Sequence, residues 1–415
     1  MPDPIAVSGP RPIRMLYFVR EEFPTYRVDV DVLFGSELMG RGNRIDLVMQ
    51  AKSPSVATGA HEWHGAKVFV GPTREGNAVN RILKQWLGFW HDLRYLGRAF
   101  KKQYDAVQVR DKFLIAALAS IVARMRGLKF FFWLSFPYPE DDIIRAREGN
   151  SRLGVVVHAR GVLCSWLLYR WILPRCDHAF VQSRQMREDV CQYGIDPAKV
   201  SPVPMGIAGE EIEKAPSSVQ RTDASAETVV AYLGTLNGQR RLEILVDMLA
   251  LLRRQGLQVK LLLIGDGDLP NDRLKLERRA EELQVRDYME ITGFLPRHEA
   301  LERMRVADIC VSPFFPTPVL KSTSPTKLVE YMAYEFPVIA NDHPEQSLIL
   351  RESRAGVCVP WHARHFARAV RWLICIGAQR RRDMGGRGRA WVIANRTYSR
   401  IADELEGKYR ELLGI

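Results

Sequence analysis

Two tandem, doubly wound α/β domains are what this sequence predicts, and three observations carry the prediction. Short apolar runs alternate with stretches of helical period, which implies parallel strands covered by helices on both faces. One polar segment interrupts the alternation, which then starts again. The chain has 415 residues, more than a single hydrophobic core organises, so two domains of ordinary size are expected.

The first half opens with a strand, "RMLYFV" (14–19), and a loop, "REEFPTYR". "VDVDVLFGSELMGRG" has helical periodicity and stops at Arg-Gly, and "RIDLVMQ" begins a second strand. The strand "AKVFVG", a helical stretch over 80–102 and the strand "DAVQVRD" continue the pattern. After them come the helix "KFLIAALASIVARMRG", the strand "KFFFWLS", a helix over 151–173 and the strand "HAFVQS". This domain is assigned to 1–200. "AGEEIEKAPSSVQRTDASAET" is polar and rich in Ala, Ser and Glu, so a linker is expected over 201–226.

The second domain, 227–395, repeats the pattern. Strands are expected at "VVAYLGT", "VKLLLIGDGD", "YMEITGF", "DICVSPF", "PVIAN" and "AGVCVP". Helices are expected at "LEILVDMLALLRRQG", "RLKLERRAEELQV", "RHEALERMRVA" and "TKLVEYMAYE". The end, 396–415, reads as an amphipathic helix with Tyr398, Ile401, Leu405, Tyr409 and Leu412 in one stripe, packed back on the N-terminal domain. Two such domains in tandem place a cleft between them, with ligands at the carboxyl ends of the strands.

Composition narrows the partners. Sixty Lys and Arg against 48 Asp and Glu give +12. Residues 81–176 hold 17 basic and 7 acidic side chains, so most of that excess lies in one stretch. A local basic face implies an anionic partner. No nucleic-acid-binding motif accompanies it, so nucleic acid is set aside in favour of an anionic membrane surface or a phosphorylated substrate. "RILKQWLGFWHDLRYLGRAFKK" sets Ile82, Trp86, Leu87, Trp90, Leu93, Leu96 and Phe100 on one side with cations opposite, and "CSWLLYRWILPR" adds Trp166, Tyr169 and Trp171. That composition suits an interfacial helix as well as a core-facing stripe, and two such segments in one basic region tilt the reading to the membrane.

The six cysteines (164, 176, 191, 310, 358 and 375) show no paired or finger spacing and read as reduced thiols of a cytosolic protein. His61 and His64 lack nearby ligands in a metal spacing, and no metal site is expected. "MPDPIAVSGPRPIR" lacks the apolar core of a signal peptide. "FLIAALASIVA" is too short for a bilayer, which takes about 20 residues. The expected location is cytoplasmic, peripheral on the inner face of the membrane.

Glu330 is the residue that most needs an explanation. It sits in the apolar run of "SPTKLVEYMAYEFPVIANDHPEQ", where an unpaired buried carboxylate costs on the order of several kcal/mol. Either a cation such as Lys327, three residues earlier, pairs with it, or a ligand supplies hydroxyls. Ser322, Thr323, Ser324 and Thr326 precede the helix, whose free N–H groups and dipole suit phosphate oxygens. A carboxylate one turn further in can accept two hydrogen bonds from a vicinal diol. Ribose is the commonest diol joined to a phosphate.

The same segment resembles the donor site of the large retaining glycosyltransferase family 4, of GT-B fold with two Rossmann-like domains. There the helix carries the second glutamate of an E-x7-E motif, which holds the ribose of a nucleotide-sugar; Glu330 matches it. The first glutamate of the motif would fall at Ser322, a departure that bears on how the donor sugar is held, with Ser322, Thr323 and backbone amides as substitutes. "YLGTLNGQRRLEILVDML" resembles the family's strand–loop–helix, with Gly234 as its first glycine and Arg240 at the lysine that neutralises the diphosphate. Arg241 follows it. Fixed guanidinium groups there would stabilise a leaving diphosphate without reorganisation. "ITGFLPRHEALERMRVADICVSP" resembles the segment whose backbone, at Gly293 and Phe294, receives the nucleobase.

The resemblance implies Arg240, Arg241 and Glu330 as the catalytic group. Gly234, Gly293, Phe294, Ser322, Thr323, Ser324, Thr326 and Lys327 would bind the donor, and Arg27, Asp111, Ser135 and Glu140 would lie on the acceptor side. It implies retaining transfer from a nucleoside diphosphate sugar to a carbohydrate or lipid-linked acceptor in surface or exopolysaccharide synthesis, with no metal or cofactor. The alternatives are a nucleotide-sugar epimerase of the same fold and a catalytically silent scaffold on a membrane surface.

Overall fold

The computed structural model describes residues 11–147, 154–213 and 227–415. Half of the expected linker, 214–226, therefore lies outside the described residues, as do the first ten residues and the start of the helix expected over 151–173. The chain divides into two compact units, Met1–Pro204 with Tyr398–Ile415, and Met205–Thr397.

Unit 1 is built on eight strands. They are β1 (Arg14–Phe23), β2 (Arg44–Ala51), β3 (Gly59–Trp63), β4 (Ala66–Gly71), β5 (Ala106–Arg110), β6 (Lys129–Leu134), β7 (His178–Val181) and β8 (Val200–Pro202). Their order is β3-β4-β2-β1-β5-β6-β7-β8, parallel except for the antiparallel edge pair β3–β4. The edge strand "GAHEW" was not expected, because neither of its faces is buried and no apolar alternation marks it. β1 runs through the expected loop to Phe23, with a register shift between Phe18 and Glu22. Of its last charged residues, Glu21 meets the buried Arg110, whereas Glu22 pairs with Lys84 and Arg20 is exposed.

The helix Ala78–Leu96 starts at Asn77, whose side chain accepts from Asn80 N. It stops six residues short of the expected 102, where Gly97 caps it and the Arg126 guanidinium takes the carbonyls of Leu96 and Ala99. A helix over Tyr138–Arg147 appears where only a strand end was expected; Glu140 and Asp141 in its first turn complement the helix dipole. The helix Gly154–Trp166 continues as a π-helical segment, Leu167–Ile172, which turns Leu168, Tyr169 and Ile172 into the core. A second π segment, Asp29–Glu37, fills the place of the first expected helix. Tyr398–Leu413 lays Tyr398, Ile401, Leu405 and Tyr409 on this unit, with the Tyr409 hydroxyl donating to Gln108 at 2.5 Å.

Unit 2 holds six parallel strands, β9 (Thr228–Leu233), β10 (Val259–Ile264), β11 (Met289–Ile291), β12 (Ile309–Ser312), β13 (Val338–Asn341) and β14 (Gly356–Val359). Their order is β11-β10-β9-β12-β13-β14, with the crossover between β9 and β12. Helices Pro344–Ser353, Ala363–Cys375 and Gly377–Asn395 were not expected. The last, "GAQRRRDMGGRGRAWVIAN", is assigned no element from the sequence, yet its glycines are what packing demands. A Cβ on Gly385 would lie 1.8 Å from the Glu335 carbonyl oxygen, and one on Gly388 would lie 3.3 Å from Met332 Cβ. The glycines bring this helix against Thr326–Ala333, the helix of Glu330.

Candidate functional site

β9 ends at Leu233 and passes to Gly234, whose φ of +139° L side chains rarely adopt. A Cβ there would lie 2.2 Å from Lys327 Cε, so the missing side chain is the space the lysine occupies. Lys327 Nζ lies 5.6 Å from the ring centroid of Tyr232. Burial pushes the Tyr232 hydroxyl up, and the nearby Arg240 guanidinium opposes that push. Two cations thus approach one buried aromatic ring. Burial, reinforced by Arg240, pushes the Lys327 ammonium down to about 7, with Glu330 opposing. Arg240 Nε is buried and has no hydrogen-bond partner. An anion at this place would relieve both cations.

Glu330 follows one turn later. Its Oε1 lies 3.4 Å from Arg297 Nη2, which makes a closer contact with Glu211 at 2.8 Å. Burial pushes the Glu330 carboxyl up, and Arg297 and then Lys327 oppose it. The cation that pairs with Glu330 is therefore Arg297, and Lys327 serves the Gly234 side. Next in sequence, the Tyr331 hydroxyl accepts from Leu233 N at 2.8 Å, tying this helix to the end of β9.

The turn ahead of the helix is largely engaged within the fold. Ser324 Oγ accepts from Met205 N at 3.0 Å, and Thr323 Oγ1 donates to the Leu320 carbonyl at 2.7 Å. Ser322 is buried, and Thr326 opens the helix behind Pro325 with no side-chain cap on its N–H groups. Arg241 is exposed at φ +50°, its guanidinium 5.6 Å from the Phe315 ring. Gly293 bridges Gly265, which in turn approaches Gly234 so closely that a Cβ on it would lie 2.3 Å from the Gly234 oxygen. Phe294, 84% exposed, stands beside them. Gly234, Arg240, Lys327 and Glu330 are thus brought together, and Arg241 and Phe294 are held at the surface.

In unit 1 the carboxyl ends of β1, β5 and β6 gather a buried charged cluster. Arg110 is fully buried, with Nη2 2.8 Å from Asp29 Oδ2 and Nε 3.0 Å from Glu21 Oε2. Arg27 Nε meets Asp29 Oδ1 at 3.1 Å. Burial pushes Asp29 up, and Arg110 and Arg27 outweigh it to hold the carboxyl below its ordinary value. Asp111, at φ +54°, accepts from Ser135 N at 3.0 Å and Ser135 Oγ at 2.5 Å. Burial pushes it up to about 6, against Arg110. Arg27, Asp111 and Ser135 share this cluster. Glu140 does not; it accepts from the Tyr169 hydroxyl at 2.6 Å, over the helices.

Residues 227–375 match the family model described as glycosyl transferases group 1, and residues 33–210 match the one described as glycosyltransferase family 4. The chain belongs to glycosyltransferase family 4. It is 26% identical over 185 residues to alpha-D-kanosaminyltransferase of Streptomyces kanamyceticus, a match spanning 44% of this chain and less than half (46%) of that relative. Among solved structures, sucrose-phosphate synthase from Thermosynechococcus elongatus has a TM-score of 0.70 at 17% identity, over 97% of this chain and 99% of that one. HepE from Anabaena, in complex with UDP, has a TM-score of 0.64 at 15% identity, over 96% and 100%. These likenesses carry the fold, two Rossmann-like domains of GT-B type.

Several residues of this family 4 chain were not singled out from sequence. Tyr232 reads as one more strand residue, and Arg297 as an ordinary first-turn cation. Tyr331 gives no signal beyond its place beside Glu330. Arg110 is placed with Asp111 at a strand end by the sequence, but its full burial against Glu21 and Asp29 is not. Among the described residues no three His, Cys, Asp or Glu side chains converge as metal ligands.

Proposed function

We propose that this chain is a retaining glycosyltransferase that moves a sugar from a nucleoside diphosphate sugar to an acceptor hydroxyl. One observation carries the reading: Arg240 and Lys327 are set against Tyr232 beside the bare backbone of Gly234, with Glu330 one turn away. The two cations match a diphosphate, and the carboxylate matches the ribose diol joined to it. As the glycosidic bond breaks, charge develops on the leaving diphosphate, and cations already fixed there stabilise it without reorganisation. They do the work a divalent cation would do, so transfer is metal-independent in this reading. Attack comes from the face of the departing diphosphate, whose oxygen takes the acceptor proton. The complex of HepE with UDP and the sugar transfer named for the Streptomyces relative support a nucleotide-sugar donor.

Calorimetry in the presence of EDTA, against UDP, GDP, ADP and their sugars, tests it. One nucleotide family is expected to bind in the micromolar range without added metal. Binding to none of them would move the reading to a silent scaffold. Conversion of the donor with no acceptor present would move it to an epimerase.

The acceptor in this reading is lipid-linked, in surface polysaccharide synthesis, and the protein works from the cytoplasmic face of a membrane. No helix among the described residues is long and apolar enough to cross one. Of the 22 large apolar side chains exposed among the described residues, 14 fall between Val79 and Trp166, the stretch that also holds most of the basic excess. The helix Ala78–Leu96 buries Gly88, Asp92 and Leu96 and turns Ile82, Trp86 and Trp90 outward. The basic excess of residues 81–176 gives this apolar face the charge that anionic lipid would complement. The double variant Trp86→Gln/Trp90→Gln is expected to weaken binding to phosphatidylglycerol vesicles about tenfold or more, given about 1.5–3 kcal/mol for each large apolar side chain buried. Unchanged cosedimentation would remove the membrane from the reading.

A further inference from the structure

A cavity of about 660 Å³ lies at the amino ends of the unit 1 strands, whereas the Arg110 cluster is at their carboxyl ends. Leu16 and its β2 neighbour Asp46 line it near the amino ends of their strands, and Tyr104 lines it just before β5 begins. Leu16 is five residues before Glu21 on β1, roughly 16 Å by strand rise. Nothing assigned to sugar transfer reaches this cavity.

Its walls are aromatic and its unmatched charge is positive. Phe69 and Tyr95 stack at 4.3 Å to form one wall. The Asp46 carboxylate is already engaged, by the Tyr104 hydroxyl at 2.7 Å and by Arg44 at 3.0 Å. Arg98 has no ion-pair partner among the described residues, and its guanidinium lies 5.7 Å from the Tyr95 ring. Lys67 lies opposite Glu62 across the β3–β4 ladder without forming an ion pair with it. Phe100 stands at the cavity, 51% exposed, under the Arg126 guanidinium at 4.3 Å, and the exposed Lys101 and Lys102 follow it. Arg44 is matched by Asp46, and Lys67 and Arg98 against the single carboxylate of Glu62 leave the lining with one positive charge in excess. A guanidinium held against an aromatic face is a phosphate anchor, and the stacked pair gives the remainder of the ligand an apolar surface.

We infer that this cavity is a binding site for a phosphate ester, with Arg98 and Lys67 on the phosphate and Phe69 and Tyr95 against the group it carries. A phospholipid headgroup and a soluble polyol phosphate share that chemistry. The inference goes beyond the sugar-transfer reading and does not depend on it.

Lysine footprinting of the full chain tests the site and separates the two sources. An acylating ester is applied and the modification of each lysine is read by peptide mass spectrometry, with Lys321, exposed in unit 2, as the internal reference. Glycerol 1-phosphate, or vesicles containing phosphatidylglycerol, should slow acylation of Lys67 at least about threefold while leaving Lys321 unchanged. Arg98→Gln should abolish that protection, and Arg94→Gln, in the last turn of the preceding helix and outside the cavity, should keep it. Protection by vesicles alone assigns the headgroup; protection by the soluble ester assigns the free phosphate ester. Failure of both to protect Lys67, or equal protection in Arg98→Gln and Arg94→Gln, overturns the inference.

Discussion

Glu330→Ala is expected to lower kcat/KM by about a hundredfold to ten-thousandfold while the protein stays folded. A charged hydrogen bond contributes about 1.5–3 kcal/mol, and a ribose diol would make two with this carboxylate. The fold survives because the partner left behind is not stranded: Arg297 keeps Glu211 at 2.8 Å. The reverse deletion behaves differently. Arg297→Ala removes the larger of the two charges that hold the carboxyl down, so burial prevails and the Glu330 pKa rises further above its ordinary value. Turnover in Arg297→Ala should then recover toward higher pH, as the carboxyl ionises, whereas Glu330→Ala has nothing to recover. A donor with 2′-deoxyribose sharpens the test. Wild type should prefer the ribose donor, and Glu330→Ala should lose most of that preference. If the variant turns over normally, or keeps the full preference for ribose, the diol assignment is wrong.

The fold was readable because its signal is repetitive. Strands such as "VVAYLGT" and "VKLLLIGDGD" are buried on both faces and stand out as apolar runs, and the helices between them carry their own period. What escaped depends on tertiary partners. "REEF" reads as a loop because a strand ending in carboxylates makes sense only once Arg110 is seen buried against Glu21. Gly377–Asn395 was not expected as a helix because Gly385 and Gly388 have no helical advantage of their own; their use lies in the contact with Glu335 and Met332. The candidate site divides the same way. Arg240 and Glu330 sit in segments with local patterns. Arg297 reaches Glu330 from 33 residues away, and Tyr232 gathers Arg240 and Lys327 by its place in the sheet. No spacing rule encodes those distances.

Lys327 gives the second large effect, and the effect depends on pH. A lysine ordinarily stays charged until well above pH 9, but burial and the Arg240 cation push this one down to about 7. Below that pH the ammonium is charged and ready for a diphosphate. Above it the empty protein holds a neutral amine, and binding the anion must take up a proton. Affinity for the donor should therefore fall as pH rises through 7, approaching tenfold per unit until the pKa of the bound state is reached. A nucleotide-sugar is the right probe, because its diphosphate has no proton to lose in this range. Calorimetry at pH 6.5 and pH 8.5 should show binding weaker by about tenfold or more at the higher pH, with proton uptake revealed by the ionisation enthalpy of the buffer. Lys327→Gln should bind weakly at both values and show no slope. Arg240→Gln should also bind weakly, with its slope moved to higher pH, because removing the neighbouring cation lets the Lys327 pKa rise. Those two variants separate a shared anion site from two unrelated cations: if Arg240 and Lys327 act on one diphosphate, the loss in the double variant is smaller than the sum of the single losses. A wild-type affinity that is flat across this range would mean that Lys327 touches no phosphate.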